Sequence, residues 1–181
     1  MQNKIASRCP LVNKVLLDSI DKKFQAFFTV VDAEIGERGL RHINSFIERG
    51  IRCRYTDLNS IGAVMKKLSE NQIRFEHDLS VKDSMVILGC SAVLSNGCVI
   101  APKGSMLLAL AAKAFNIPVL VVSQTYKFVD KVQSSGRMAL LGKQSNETVP
   151  SDLVTAIVTD IRVLPPSSAP AVLKAKALDL E

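Results

Sequence analysis

The chain has no tryptophan and two tyrosines, and aromatic residues make up only 5% of its 181 positions. Its core must therefore be built mainly from Val, Ile, Leu, Ala and Met rather than around large rings. Histidine is equally scarce, with His42 and His77 alone. The four cysteines, Cys9, Cys53, Cys90 and Cys98, form no CxxC pair and have no ligand spacing with either histidine. That excludes a structural zinc site and leaves reduced structural thiols as the ordinary reading. The longest apolar run, 106–112, is stopped by Lys113. It is far short of the roughly 20 residues that a membrane span needs. The first four residues carry no apolar stretch of the signal-peptide kind. A cytoplasmic location is the expectation. Neither GxGxxG nor GxxxxGK[ST] occurs, so no nucleotide fingerprint is present.

What is present fits one globular α/β domain. Apolar residues make up 48% and charged residues 22% of the chain, and the net charge is +6. The basic residues are dispersed, with no Arg stripe interleaved with aromatics. Direct nucleic-acid binding is not expected, and an acidic protein partner suits the charge equally well. Short apolar runs at 27–31, 51–56, 85–89 and 119–122 predict strands. Helical spacing predicts helices over 11–18, 39–49, 61–68 and 103–115, with a helix or helix-to-strand unit over 153–161. Within 103–115 the strip Met106–Leu110–Ala114 reads as core. The polar stretch 71–80 predicts a loop, 134–150 a mobile connection, and 165–170 an extended segment with a disordered tail after it. The alternation gives a Rossmann-like open, mainly parallel sheet with helices on both faces. One domain is expected over 1–173, followed by a tail at 174–181.

In such a sheet ligands bind beyond the carboxyl ends of the strands. That singles out Arg8 and Cys9, Asp32 and Glu34, Cys90 and Ser91, and 123–128. To these are added Asn96–Gly97 and the helix start at Gly104–Ser105. Free N–H groups at that start could hold an anion, or the pair is only an ordinary helix opening. Cys9 and Cys90 lie in strand-end loops, but no histidine does, which favours structural thiols over nucleophiles. Asp32 reads as a turn acid rather than a ribose ligand in the absence of the glycine fingerprint. No metal site and no cofactor are expected.

Several runs are more specific. GCSAVLSNG at 89–97 leads to KGS at 103–105, NIPV at 116–119, QTYKF at 124–128 and VQ at 132–133. CPLV at 9–12, VVD at 30–32, LR at 40–41, TVPSDLV at 148–154 and LPPSSAPAVL at 164–173 extend the pattern. Together they resemble the family shared by regulatory subunits of eukaryotic translation initiation factor two-B and the isomerases of methylthioribose-1-phosphate and ribose-1,5-bisphosphate. The QTYKF run is most similar to the delta subunit. The resemblance implies a C-terminal regulatory domain without the family's N-terminal helical domain.

The resemblance also implies a chemical test. The isomerases carry Gly–Ala–Asp where this chain has Gly89–Cys90–Ser91, and an Arg–Pro where it has Glu34–Ile35. A hydroxyl cannot replace the proton-transferring acid at Ser91. A carboxylate at Glu34 opposes a phosphate, at a cost of about 4 kcal/mol for like charges 4 Å apart at an effective dielectric near 20. A non-catalytic subunit is therefore expected, with Arg8, Cys9, Glu34, Ser91, Asn96, Gly97, Gly104 and Ser105 as a vestigial ligand pocket. Thr125, Tyr126, Lys127 and Phe128 are the expected partner interface, although Phe128 suits an interior position equally well. The implied partners are other exchange-factor subunits, beta-like first, and phosphorylated initiation factor two, with self-association of the chain as a further expectation. The implied role is control of guanine-nucleotide exchange in translation regulation. A sugar-phosphate isomerase and a non-catalytic sugar-phosphate sensor are the alternatives.

Overall fold

The computed structural model describes residues 28–32, 44–45, 47–50, 52–74, 84–132 and 146–178. The predicted helix over 11–18 falls outside them, as do Arg8, Cys9 and Glu34. The chain divides into two compact units, 1–62 and 63–181.

In the first unit, β1 (Phe28–Asp32) and β2 (Cys53–Asp57) pair in parallel, with Phe28 opposite Cys53 and Asp32 opposite Asp57. The predicted strands were placed one or two residues early, a usual error at strand ends. Beyond β2 the Asp57 carboxylate accepts from the Ser60 N–H at 2.8 Å and opens a short 3-10 turn, Leu58–Ser60. Helix α1 (Ile61–Arg74) starts at the end of this unit, with residues 63–74 in the second, and buries Ile61, Val64 and Met65, a three-and-four spacing on one face. It runs six residues past the predicted end at Leu68, into part of the stretch expected as a loop.

The second unit holds two four-stranded sheets. In the first, β3 (Val86–Gly89), β6 (Val119–Val122) and β9 (Ala156–Val158) are parallel, and β10 (Val163–Leu164) closes one edge antiparallel to β9. In the second, β4 (Ala92–Leu94) and β5 (Val99–Pro102) form a hairpin. Strand β7 (Phe128–Val129) joins β4 in parallel, and β8 (Asn146–Val149) joins β5 antiparallel. The α/β class holds, and the parallel arrangement describes the first sheet. The second sheet is mainly antiparallel and was not expected. Its hairpin lies at 92–102, where no strand was predicted, and β8 lies inside the predicted mobile connection.

Helix α2 (Ser105–Ala114) packs on β3, β6 and β8. It buries Ser105, Ala109 and Ala112, while Leu107 and Leu110 remain 48% and 45% exposed. The expected core strip Met106–Leu110–Ala114 is thus one face away from the real one. The small side chains face the sheet because they let the helix backbone approach it closely. The core beneath comprises Val86, Leu88, Val119, Val121 and Ile157 from the first sheet, and Val93, Val99, Ala101, Phe128 and Val149 from the second. Of the two readings of 153–161, a single helix is not formed, and a helical turn passing into a strand is closer to what is seen. A 3-10 turn (Ser151–Leu153) leads directly into β9. The segment from 165 is not extended either. A 3-10 turn (Pro166–Ser168) opens helix α3 (Ala169–Leu178), which packs on β7 and continues past residue 173. Pro at the front of a helix is compatible with its missing N–H, which explains how a proline-rich run can begin one.

Candidate functional site

Because β3, β6 and β9 are parallel, their carboxyl ends lie together. Each strand is followed by a buried residue that turns the chain, respectively Cys90, Ser123 and Thr159 at 8%, 1% and 0% exposure. The Cys90 thiol donates to the Val122 carbonyl at 3.6 Å. Burial pushes its pKa up, and hydrogen bonding with Ser123 and the Lys127 charge offset this only in part. A thiol held protonated in this way is a poor nucleophile. Thr159 closes the β9–β10 turn, donating to the Arg162 carbonyl and accepting from the N–H groups of Ile161 and Arg162.

Ser91 is exposed, and its N–H donates to the Ile100 carbonyl at 2.8 Å, which continues the β4–β5 ladder by one bond. At the same end of the hairpin the chain leaves β5 and enters α2 through Gly104, whose φ is +95°. The structure therefore brings Ser91 to the same hairpin end as Gly104 and Ser105. It does not bring Asn96 and Gly97 there. These two form the hairpin's closed end, about three residues or roughly 10 Å away at the usual rise of a strand. The Asn96 side chain accepts from the Cys98 N–H at 3.1 Å, and the Gly97 N–H donates to the Leu94 carbonyl at 2.9 Å. Gly97 has a φ of +79°, and a Cβ there would lie 2.6 Å from the Pro166 carbonyl oxygen. This glycine serves a tight turn and a close approach of the C-terminal arm.

The helix start holds a residue that sequence reasoning missed. Glu147, half-buried on β8 opposite Ala101, accepts the Met106 N–H on its Oε1 at 2.7 Å. A carboxylate at this point meets both a free amide of the first turn and the positive end of the helix dipole. The protein itself thus supplies an anion where an external phosphate had been considered. The chemical signal was an acid on an incoming strand, hidden by reading its surroundings as a polar linker. A shallow hollow of about 380 Å³ lies elsewhere, lined by Ala92, Leu94, Ile100, Val129, Lys131 and Val132. None of the candidate pocket residues lines it.

The 3-10 turn Thr125–Lys127 is the second candidate region. The Thr125 N–H and hydroxyl donate to the two oxygens of Asp160, at 2.8 and 3.0 Å. The Lys127 ammonium donates to the Cys90 carbonyl at 2.8 Å, and that of Lys176 on α3 to the Tyr126 carbonyl at 3.4 Å. These bonds fix the turn and leave the Tyr126 side chain 56% exposed. Phe128 is 1% exposed and pairs with Val93 across β7 and β4. Of the two aromatics at 125–128, Tyr126 is exposed and Phe128 belongs to the core. Asp160 is a second residue missed from sequence, because only the fold brings it beside Thr125. Among the described residues no three His, Cys, Asp or Glu side chains converge as a metal set, and no helix is long and apolar enough to cross a membrane.

Residues 5–147 match the model of the Initiation factor 2 subunit family. Translation initiation factor eIF2B subunit delta of Dictyostelium discoideum is 24% identical, over 91% of this chain and 29% of its own length. The protein of the same name from Schizosaccharomyces pombe is 27% identical, over 85% of this chain and 29% of its own. Ribose 1,5-bisphosphate isomerase of Methanocaldococcus jannaschii is 27% identical over 47% of this chain and 34% of its own. The chain thus spans under a third of the delta-subunit relatives. In fold it is similar to translation initiation factor eIF-2B of Pyrococcus horikoshii OT3, with a TM-score of 0.66 at 20% identity over 86% of this chain and 55% of that one. It is also similar to eIF2B beta of Chaetomium thermophilum, with a TM-score of 0.61 at 20% identity over 82% of this chain and 41% of that one. With the family pattern running through 5–147, most of its length, the chain belongs to the Initiation factor 2 subunit family.

Proposed function

We propose that this chain works as a non-catalytic regulatory domain of a translation-factor exchange complex, through protein contacts made in the cytoplasm. The observation that carries this reading is the reach of the likeness. It extends over 91% of the chain for a delta subunit but 47% for an isomerase. One feature of the site and two residues of the sequence support it. The first-turn amide of α2 is already bonded to Glu147, which disfavours a bound phosphate at that point. Ser91, where the isomerases resembled here carry an acid, offers a hydroxyl with no role in proton transfer at neutral pH. Glu34, in place of the arginine clamp, adds a like charge against phosphate.

In this reading the chain pairs with a beta-type subunit and contributes to assembly of the larger complex. It takes part in sensing phosphorylated initiation factor two, and another subunit performs the nucleotide exchange. Co-expression with a beta-type subunit tests it. A stable complex on size-exclusion chromatography is expected, and a folded chain that elutes alone would sink the reading. The isomerase alternative has its own assay, conversion of ribose-1,5-bisphosphate or methylthioribose-1-phosphate. No turnover above background is expected, and turnover abolished by Cys9→Ser would establish the alternative.

A further inference from the structure

We infer that the tip of the β9–β10 hairpin, Asp160–Ile161–Arg162, forms one protein-binding surface with Tyr126, and that this surface takes an acidic segment of the companion subunit. The inference rests on the reading above and deepens it, since it names residues and a partner chemistry that the QTYKF likeness does not supply. Three observations converge. The bonds from Thr125 to Asp160 join two loops that are distant in sequence, and hold Tyr126 beside the hairpin tip. Ile161 and Val163 are 64% and 59% exposed on the edge strand and the turn before it, next to a tyrosine that is 56% exposed. An apolar edge of this kind invites a covering chain.

The local charge gives the partner's sign. Asp160 is engaged by Thr125, the ammonium groups of Lys127 and Lys176 donate to the Cys90 and Tyr126 carbonyls, and Arg162 lies two residues past Asp160 in the same hairpin tip. Arg162 is exposed and makes no ion pair among the described residues. Tyr, Ile and Arg around a fixed turn are the residue types that anchor protein interfaces, and the free guanidinium suits a carboxylate. Asp160 is a positioning residue here. It touches no partner, and it acts by fixing the turn that presents Tyr126.

The test is calorimetric titration of the full chain with a beta-type subunit. Tyr126→Ala is expected to weaken binding at least tenfold, and Arg162→Glu about tenfold. Affinity of the unaltered chain should fall as salt is raised. Asp160→Ala should weaken binding several-fold while Asp160→Asn restores it, because an amide can still accept from the Thr125 N–H and donate to its hydroxyl. A role in stability alone would lower the unfolding midpoint of Asp160→Ala and leave its affinity near that of the unaltered chain. Lys66→Ala, on the exposed face of α1, is the control and should bind normally. If the unaltered chain binds but Tyr126→Ala and Arg162→Glu stay within twofold of it, this surface is overturned and the broader reading stands. If the unaltered chain does not bind, both fall together.

Discussion

The α2 start and the Thr125–Lys127 turn lie in the same unit and look alike in sequence, each a short polar run beside apolar residues. They differ in what their internal bonds leave free. At the α2 start, Glu147 takes the Met106 amide that a ligand would have used. At the turn, Asp160, Cys90 and Lys176 satisfy the backbone and the lysine, and leave a tyrosine ring outward. Internal hydrogen bonds fill one place and frame the other. A polar loop therefore cannot be judged by its composition. The question is which of its donors and acceptors the protein has already used.

The largest expected effect separates the two aromatics of the turn. Phe128→Ala should cost about 3–5 kcal/mol of stability, as for other fully buried phenylalanines. Tyr126→Ala should stay within about 0.5 kcal/mol, as exposed substitutions do. Urea unfolding of both variants measures this, and similar costs would mean that the turn does not divide them into core and surface. Gly97→Ala comes next, at about 2–3 kcal/mol for a left-handed residue combined with backbone crowding. The added Cβ would press on Pro166, so the loss should come with protease sensitivity near α3.

Glu147→Ala should cost about 2 kcal/mol, as for a lost hydrogen bond to a charged group, and Glu147→Gln about half of that. Inorganic phosphate should leave the unfolding midpoint of the unaltered protein unmoved, and a clear rise would place a ligand at the helix start after all. The smallest effect lies at the far end of α2. Lys113 bonds to Asp152 at 2.9 Å and holds that carboxyl below its ordinary value near 3.8. The sign follows from the depressed folded value. The contribution is present above the unfolded pKa and fades as pH falls through the folded one. Asp152→Asn should therefore lower the unfolding midpoint slightly at neutral pH and not at all in strong acid.

The parallel strands were legible because MVILG at 85–89 and VLVV at 119–122 are short continuous apolar runs, although only alternate residues, Val86, Leu88, Val119 and Val121, are buried and Ile87 stays 43% exposed. The β4–β5 hairpin carried its own signal, an Asn–Gly between AVL and CVI. Its meaning was missed because those two residues were assigned to a ligand pocket rather than to a turn. Helix α3 was hidden by Pro165, Pro166 and Pro170, which read as extension until the fold places them at a helix entrance. In α2 the spacing was correct and the face wrong, since alanines rather than leucines meet the sheet. Ser91 could be placed at a strand end and Gly104–Ser105 at a helix start from sequence, but Glu147 and Asp160 could not be placed. Each acts on a residue about 35 to 41 positions away, and only the tertiary fold makes those pairs neighbours.

Glu147 has a consequence for how the domain relates to the cell's metabolism. A helix end completed by a diffusing anion gains stability by mass action, so its folding responds to that anion's concentration. A helix end completed by a side chain of the same polypeptide has no such dependence. The joint between β8 and α2 is completed at the Met106 amide by the chain itself, and that bond does not depend on the concentration of any diffusing anion.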